Sequence, residues 1–202
     1  MFTGIIQAVG HVSHLRESHG GDAQVTIAAG DLDMGDVQLG DSIACNGVCL
    51  TVVEKTPEGF GVVVSGETFS CTVGFAPGDK LNLEKAMRLS DRLGGHLVSG
   101  HVDGIGEVLR FEPVGDSWRL DIRAPGKMAR YLAPKGSVAV NGVSLTVNQV
   151  HGADFSINLI PHTLEHTMLH ALQPGARVNL EADMLARYAE RLLNYLHDQD
   201  KD

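Results

Sequence analysis

Residues 42–53 read SIACNGVCLTVV, and residues 137–148 read SVAVNGVSLTVN. Eight of the twelve positions are identical: Ser42/Ser137, Ala44/Ala139, Asn46/Asn141, Gly47/Gly142, Val48/Val143, Leu50/Leu145, Thr51/Thr146 and Val52/Val147. In both stretches an Asn-Gly pair separates two short apolar runs, the strongest short-range signal for a β-hairpin. The likeness extends outward in order. Thr68 and Thr72 match Thr163 and Thr167 at the same offset of 95. Gly78, Asn82, Leu83 and Glu84 match Gly175, Asn179, Leu180 and Glu181 at 97, and Gly4, Gly10 and Val12 match Gly100, Gly106 and Val108 at 96. Collinear matches over almost the whole chain mean a tandem duplication, with a period too long for the usual solenoid repeats.

Each half reads as strands. Residues 25–28, 42–44, 48–53, 60–64 and 80–83 alternate or run apolar, and Gly-Asp, Asn-Gly and Pro-Gly pairs divide them. Five or six short strands per half make a small antiparallel barrel or sandwich, and a barrel removes the exposed edges of so small a sheet. Short helices are expected over 125–133, within 65–73 and within 161–169. A longer one is expected over 184–196, where Leu185, Tyr188, Leu192 and Leu196 recur at helical spacing behind Asp183 as N-cap. That helix has no counterpart in the first half and reads as an assembly element. The expected units are a barrel over 1–96, a second over 97–185, and a terminal helix and tail over 186–202.

The 202 residues include 24 glycines and few aromatics, which suits many tight turns. A net charge of −9 without a basic stripe argues against a nucleic-acid partner. No apolar run is long enough to span a membrane as a helix. The stretch MFTGIIQAVG lacks the pattern of a secretory leader, and Cys45, Cys49 and Cys71 are an odd set. Free thiols in a reducing, cytoplasmic compartment are expected.

Two constellations need weighing. HTLEH at 162–166 matches the H-x-x-E-H pattern of one metalloprotease class. Its counterpart ETFSC at 67–71 keeps neither His, whereas both copies keep their threonines, so zinc chemistry is not expected. GGHLVSGHVDG at 94–104 joins the halves and has no phosphate-binding fingerprint. His96, Ser99, His101 and Asp103 are nonetheless dense chemistry for a linker, and both histidines suit proton transfer near neutral pH. On the residues alone, the chain is a duplicated barrel with twin pockets for a small polar ligand, lined by Ser42/Ser137, Thr51/Thr146 and Thr68/Thr163.

MFTGI at 1–5, NGVCLT at 46–51, NLE at 82–84, the 94–104 junction, NGVSLTV at 141–147, IPHT at 160–163 and NLE at 179–181 together resemble the riboflavin synthase α-chain family. The resemblance spans nearly the whole chain. It implies an all-β fold of two tandem six-stranded antiparallel Greek-key barrels with short helices, and a C-terminal α-helix that holds a homotrimer together. It implies a dismutation of two 6,7-dimethyl-8-ribityllumazine molecules per active site, with no metal or cofactor. The active site would form between the N-terminal barrel of one subunit and the C-terminal barrel of the next. By position in the family's motifs, His101, Ser144, Cys49, Asp183 and Ser42 are the implied catalytic residues. Gly4, Thr51, Gly66, Glu67, Thr68, Lys135, Thr146, Ile160, His162 and Thr163 are the implied substrate-binding residues. Association with lumazine synthase is a further implied partnership. The rival reading is a non-catalytic lumazine- or flavin-binding homologue. A purely structural protein would leave the doubled polar positions unexplained.

Overall fold

The structure, a computed structural model, describes residues 1–199; the last part of the expected tail, 200–202, lies outside the described residues. The first half contains β1 (Ala8–Glu17), β2 (Ala23–Ala28), β3 (Ser42–Cys45), β4 (Val48–Thr56), β5 (Gly59–Val64), α1 (Gly66–Cys71) and β6 (Lys80–Lys85). The second contains β7 (Gly104–Val114), β8 (Ser117–Arg123), β9 (Ser137–Val140), β10 (Val143–His151), β11 (Asp154–Leu159), α2 (Pro161–His166) and β12 (Arg177–Ala182), followed by α3 (Met184–Gln199).

Each set of six strands closes into an antiparallel barrel. The first runs β1-β2-β5-β4-β3-β6, and the second repeats that circuit as β7-β8-β11-β10-β9-β12. Bulges fall at matching places, Val12/His14 with Val108/Arg110 and Val52/Glu54 with Val147/Gln149. Duplication therefore preserved irregularities as well as strands. Each barrel has its own apolar core, one including Ile27, Ile43, Phe60 and Leu83, the other Leu120, Ile122, Ile157 and Leu180. The five strands expected in the first half are present, and β1 joins them. Polar residues break its apolar alternation around the bulge, which hides it from periodicity. The segment expected to be helical over 125–133 forms a short 3-10 stretch, Gly126–Tyr131, the form helical connectors often take.

The Asn-Gly turns are left-handed, with φ of 48° and 78° at Asn46 and Gly47 and 45° and 82° at Asn141 and Gly142. These are the conformations a type I′ turn requires. The two turns also meet. A Cβ on Gly47 would lie 2.7 Å from the backbone nitrogen of Gly142, and one on Gly142 would lie 2.8 Å from that of Gly47. Around this contact, Asn82 Nδ2 donates to the Asn141 carbonyl at 2.9 Å and Asn179 Nδ2 donates to the Asn46 carbonyl at 3.0 Å. Both asparagines are buried, so the exchange satisfies groups that water cannot reach. The barrels are thus related by an internal two-fold axis that passes between the turns.

Candidate functional site

The lead-in to each barrel crosses to the other. Phe2 and Val98 pair across the axis, Phe2 N donating to Val98 O at 2.7 Å and Val98 N to Phe2 O at 3.0 Å. Phe2 is fully buried in a small inter-barrel cluster with Ala44, Val98 and Ala139. Two residues further on, each chain segment touches the opposite hairpin. Ser144 N donates to the Gly4 carbonyl at 2.8 Å, and Cys49 N donates to the Gly100 carbonyl at 2.9 Å. Glycine is needed at both points. Gly4 and Gly100 have φ of +76° and +80°, and an added Cβ would sit 2.5 Å from Ser144 Cβ or 2.6 Å from Cys49 Cβ. A buried glutamate holds each crossing in place. Glu84 accepts from Thr3 N, Thr3 Oγ1 and Gly4 N at 2.8, 2.7 and 2.9 Å. Glu181 accepts from Ser99 N, Ser99 Oγ and Gly100 N at 2.6, 2.7 and 2.9 Å.

The sequence-predicted residues therefore fall into two related sets. On the first barrel, half-buried Cys49 and exposed Thr51 lie on one face of β4, with Ser42 opposite Thr51 on β3. His101 follows the Gly100 that covers Cys49, and its ring is exposed. Gly66, Glu67 and Thr68 are on α1, where Ser65 caps the helix by accepting from Thr68 N at 3.2 Å. On the second barrel, Ser144 and Thr146 occupy the equivalent face of β10, with Ser137 opposite Thr146. Ile160, His162 and Thr163 lie at and inside the start of α2. Asp183 caps α3, its carboxylate accepting from Leu185 N at 3.0 Å.

Lys135 holds φ +68°, where its counterpart Gly40 has +92°. A non-glycine residue in this conformation costs about 1–2 kcal/mol. The second copy keeps a long cation at a position the first leaves bare.

The imidazole beside Ser144 is His96, not His101. His96 Nδ1 and Ser144 Oγ are 2.7 Å apart, and His96 N donates to the Thr3 carbonyl at 3.2 Å. Burial pushes the His96 pKa below the ordinary value, partly opposed by the Asp183 carboxylate nearby. The ring is therefore neutral near pH 7, and it either accepts the Ser144 hydroxyl proton or donates to that oxygen. Its Nε2 is buried and makes no hydrogen bond among the described residues. The sequence points to His101 because that histidine, in SGHVDG at 99–104, is the one that matches the family's active-site histidine, whereas His96 in the same junction has no such match. The signal for His96 was its density with Ser99, His101 and Asp103 in a linker.

The H-x-x-E-H segment forms α2, but the His162 and His166 rings stack 4.0 Å apart, and His166 Nδ1 is engaged with the His162 carbonyl at 2.8 Å. No group of three metal-ligating side chains is gathered among the described residues. Ser42 lines a cleft of about 350 Å³ with Asp41, Lys85 and Arg88, and Lys135 lines one of about 370 Å³ with Arg119, Asn148 and Asn158. Neither cleft includes Cys49 or Ser144.

Two barrels with equivalent polar faces define a duplicated small-ligand-binding protein, and comparison with known proteins names the ligand class. The model of the lumazine binding domain matches residues 3–86 and again 99–183. Riboflavin synthase of Photobacterium phosphoreum is 47% identical over 203 residues, spanning 100% of this chain and 93% of that protein. Riboflavin synthase of Bacillus subtilis is 40% identical over 196 residues, spanning 96% and 90%. The crystal structure of LumP complexed with riboflavin superimposes with a TM-score of 0.82 over 90% of this chain and 99% of that one. At 23% identity that likeness is one of fold. The chain belongs to the riboflavin synthase family of duplicated lumazine-binding domains.

Proposed function

We propose that this protein is a riboflavin synthase. Two molecules of 6,7-dimethyl-8-ribityllumazine react, one giving a four-carbon unit to the other, and the products are riboflavin and 5-amino-6-(ribitylamino)uracil. The observation that carries this reading is identity of 40–47% to riboflavin synthases along almost the full chain. The geometry suits the chemistry. One lumazine must lose a proton from its C7 methyl group, and the resulting carbanion must attack an electrophilic ring carbon of the other. Orienting two identical rings on two equivalent faces lowers the entropic barrier by several kcal/mol. Ser144, hydrogen-bonded to a His96 that feels the Asp183 charge, can hold or move a proton, and Ser144 and Thr146 can stabilise charge that develops on the ring. In the first barrel, Cys49, Thr51, Ser42 and His101 would take the second lumazine.

The same reading includes a homotrimer whose sites join the N-terminal barrel of one subunit to the C-terminal barrel of the next. Two features support it. Each polar face is open, neither being enclosed by the clefts described above. In addition, α3 faces the wrong way for a helix that merely covers its own barrel. Its polar side is the anchored one, Glu190 pairing with Arg130 and Tyr131 and Arg187 with Asp103. Leu185, Tyr188, Leu192 and Leu196 are 60–69% exposed. An apolar stripe turned outward marks an interaction surface. Cytoplasmic location, supported by the free thiols and acidic balance, and association with lumazine synthase complete the proposal.

The test is to incubate the purified protein with 6,7-dimethyl-8-ribityllumazine and no additive. One riboflavin should form for every two substrate molecules consumed. Tight binding without turnover would leave the non-catalytic reading in place. Leu192→Glu should convert a trimer into smaller species in sedimentation, and an unchanged trimer would refute the role of α3.

A further inference from the structure

The duplication provides an internal control for residues that the second copy added. Gln7 and Asp103 occupy equivalent places. Gln7 Oε1 accepts from Lys85 N at 2.9 Å, and Asp103 Oδ2 accepts from Ala182 N at 2.8 Å. The first copy performs this backbone contact with a neutral amide, whereas the second uses a carboxylate. A cation stands beside that carboxylate only in the second copy. Arg187, from the first turns of α3, places Nη2 3.1 Å from Asp103 Oδ2 and 3.9 Å from Glu181 Oε1. Glu84, the counterpart of Glu181, has no cation within ion-pair distance among the described residues. The contact is electrostatic in kind: neither Arg187 Nε nor Nη2 makes a hydrogen bond among the described residues, although both are buried.

Glu181 and Asp103 both govern the segment that crosses to the first barrel. Glu181 holds Ser99 and Gly100, Ser99 Oγ accepts from His101 N at 3.3 Å, and the Gly100 carbonyl receives Cys49 N. We infer that Arg187 is a positioning residue for the first barrel's site: from the root of α3 it pins the 99–103 segment, and through it sets the cover over Cys49 and the place of His101. The helix belongs by sequence to the second barrel, yet its charge acts on the site of the first. Arg187 reaches both the Asp103 and the Glu181 carboxylates and ties them together, so loss of either the cation or the Asp103 charge breaks that tie. Removing the cation frees the segment to move off Cys49. The consequence for turnover rests on the reading of Cys49 and His101 as site residues; the consequence for Cys49 itself does not.

The test uses Arg187→Met and Asp103→Asn in the full-length chain, in a Cys71→Ser background so that half-buried Cys49 reports against buried Cys45. Asp103→Asn restores the amide chemistry of Gln7 and keeps the backbone contact, so it guards against an arginine variant that fails to fold. Each variant should label faster at Cys49 with a small maleimide, by about tenfold, and the double variant should label no faster than either single one. Sedimentation should match the parent, and kcat should fall with little change in KM. Labelling at the parental rate, or labelling that rises only together with loss of assembly, would overturn the inference. His101→Gln with parental turnover would instead count against the reading of the site, and labelling would still decide the role of Arg187.

Discussion

The two barrels share strand order, bulges, turn conformations and the glutamate that clamps each crossing, yet they differ in chemistry at equivalent points. Where the second has Ser144, Asp183 and Lys135, the first has Cys49, Ala86 and Gly40. Where the first receives His101, the second receives Ile5. The buried imidazole of His96 serves the second alone. Backbone geometry was therefore retained while ionisable groups were redistributed. A reaction between two copies of one molecule requires this: the binding faces must be alike, and the roles of the two molecules must not.

The comparison can be broken at its axis first. Phe2→Ala removes a fully buried ring from the cluster shared by both barrels. It should cost about 3–5 kcal/mol in denaturant unfolding and abolish turnover, because Phe2 sets the register of both crossings. Damage confined to one lumazine site, seen by titration, would show that the crossings are independent. Gly4→Ala and Gly100→Ala sharpen the contrast. Each forces a Cβ into the opposite hairpin and should lower turnover by about 100-fold. Equilibrium binding should show each variant losing one of two lumazines per chain, Gly4→Ala on the Ser144 side and Gly100→Ala on the Cys49 side. If either lost both, the two sites would not be separable.

Acid and base should act on the halves in opposite directions. His96 has its folded pKa pushed below 6.5 by burial, so the unfolded chain binds this proton first. Its contribution is present at neutral pH and is lost as pH falls below about 6.5 toward the folded value. Burial raises Glu84 above 4.5, although Thr3 and Gly4 oppose the shift with hydrogen bonds. Its effect has the other sign: stability present below the unfolded value of 4.5 is lost as pH rises through the folded one. Melting temperatures across pH should show His96→Asn flattening the loss on the acid side of the curve and Glu84→Gln removing the fall that accompanies ionisation of this carboxyl as pH rises. Parallel curves for all three proteins would remove both assignments. The smallest effect is expected at Lys135. Lys135→Gly should raise stability by about 1 kcal/mol, as left-handed strain is relieved, while weakening lumazine binding at the second barrel.

The parts of the fold written twice were legible in the sequence. SIACNGVCLTVV and SVAVNGVSLTVN located both hairpins, and the glycines and NLE motifs located the ends of each half. What lacked a counterpart was harder to read. His96 precedes the aligned stretch, so no repeat drew attention to it, and its meeting with Ser144 spans 48 residues. The β1 strand was hidden because its bulge resets the alternation between Val12 and His14. The crossing of the lead-ins left no local pattern, since Gly4 reads as an ordinary turn glycine until Ser144 is seen against it. Glu84 and Glu181 were recognisable as motif members, but their task of clamping Thr3 and Ser99 is visible only in three dimensions.

The crossed lead-ins also carry a history. Exchange of a terminal segment across a two-fold axis is how a symmetric homodimer is made, each copy lending its first residues to the other. In this chain one exchanged segment leads into the first barrel and the other is the junction between the halves. Fusion therefore turned an association between separate molecules into an intramolecular contact held at high effective concentration. Only after that step could the two partners carry different residues at the same place, because a homodimer must write every substitution twice. The first half expressed by itself should revert to this older condition and pair with a second copy of itself, Phe2 against Phe2.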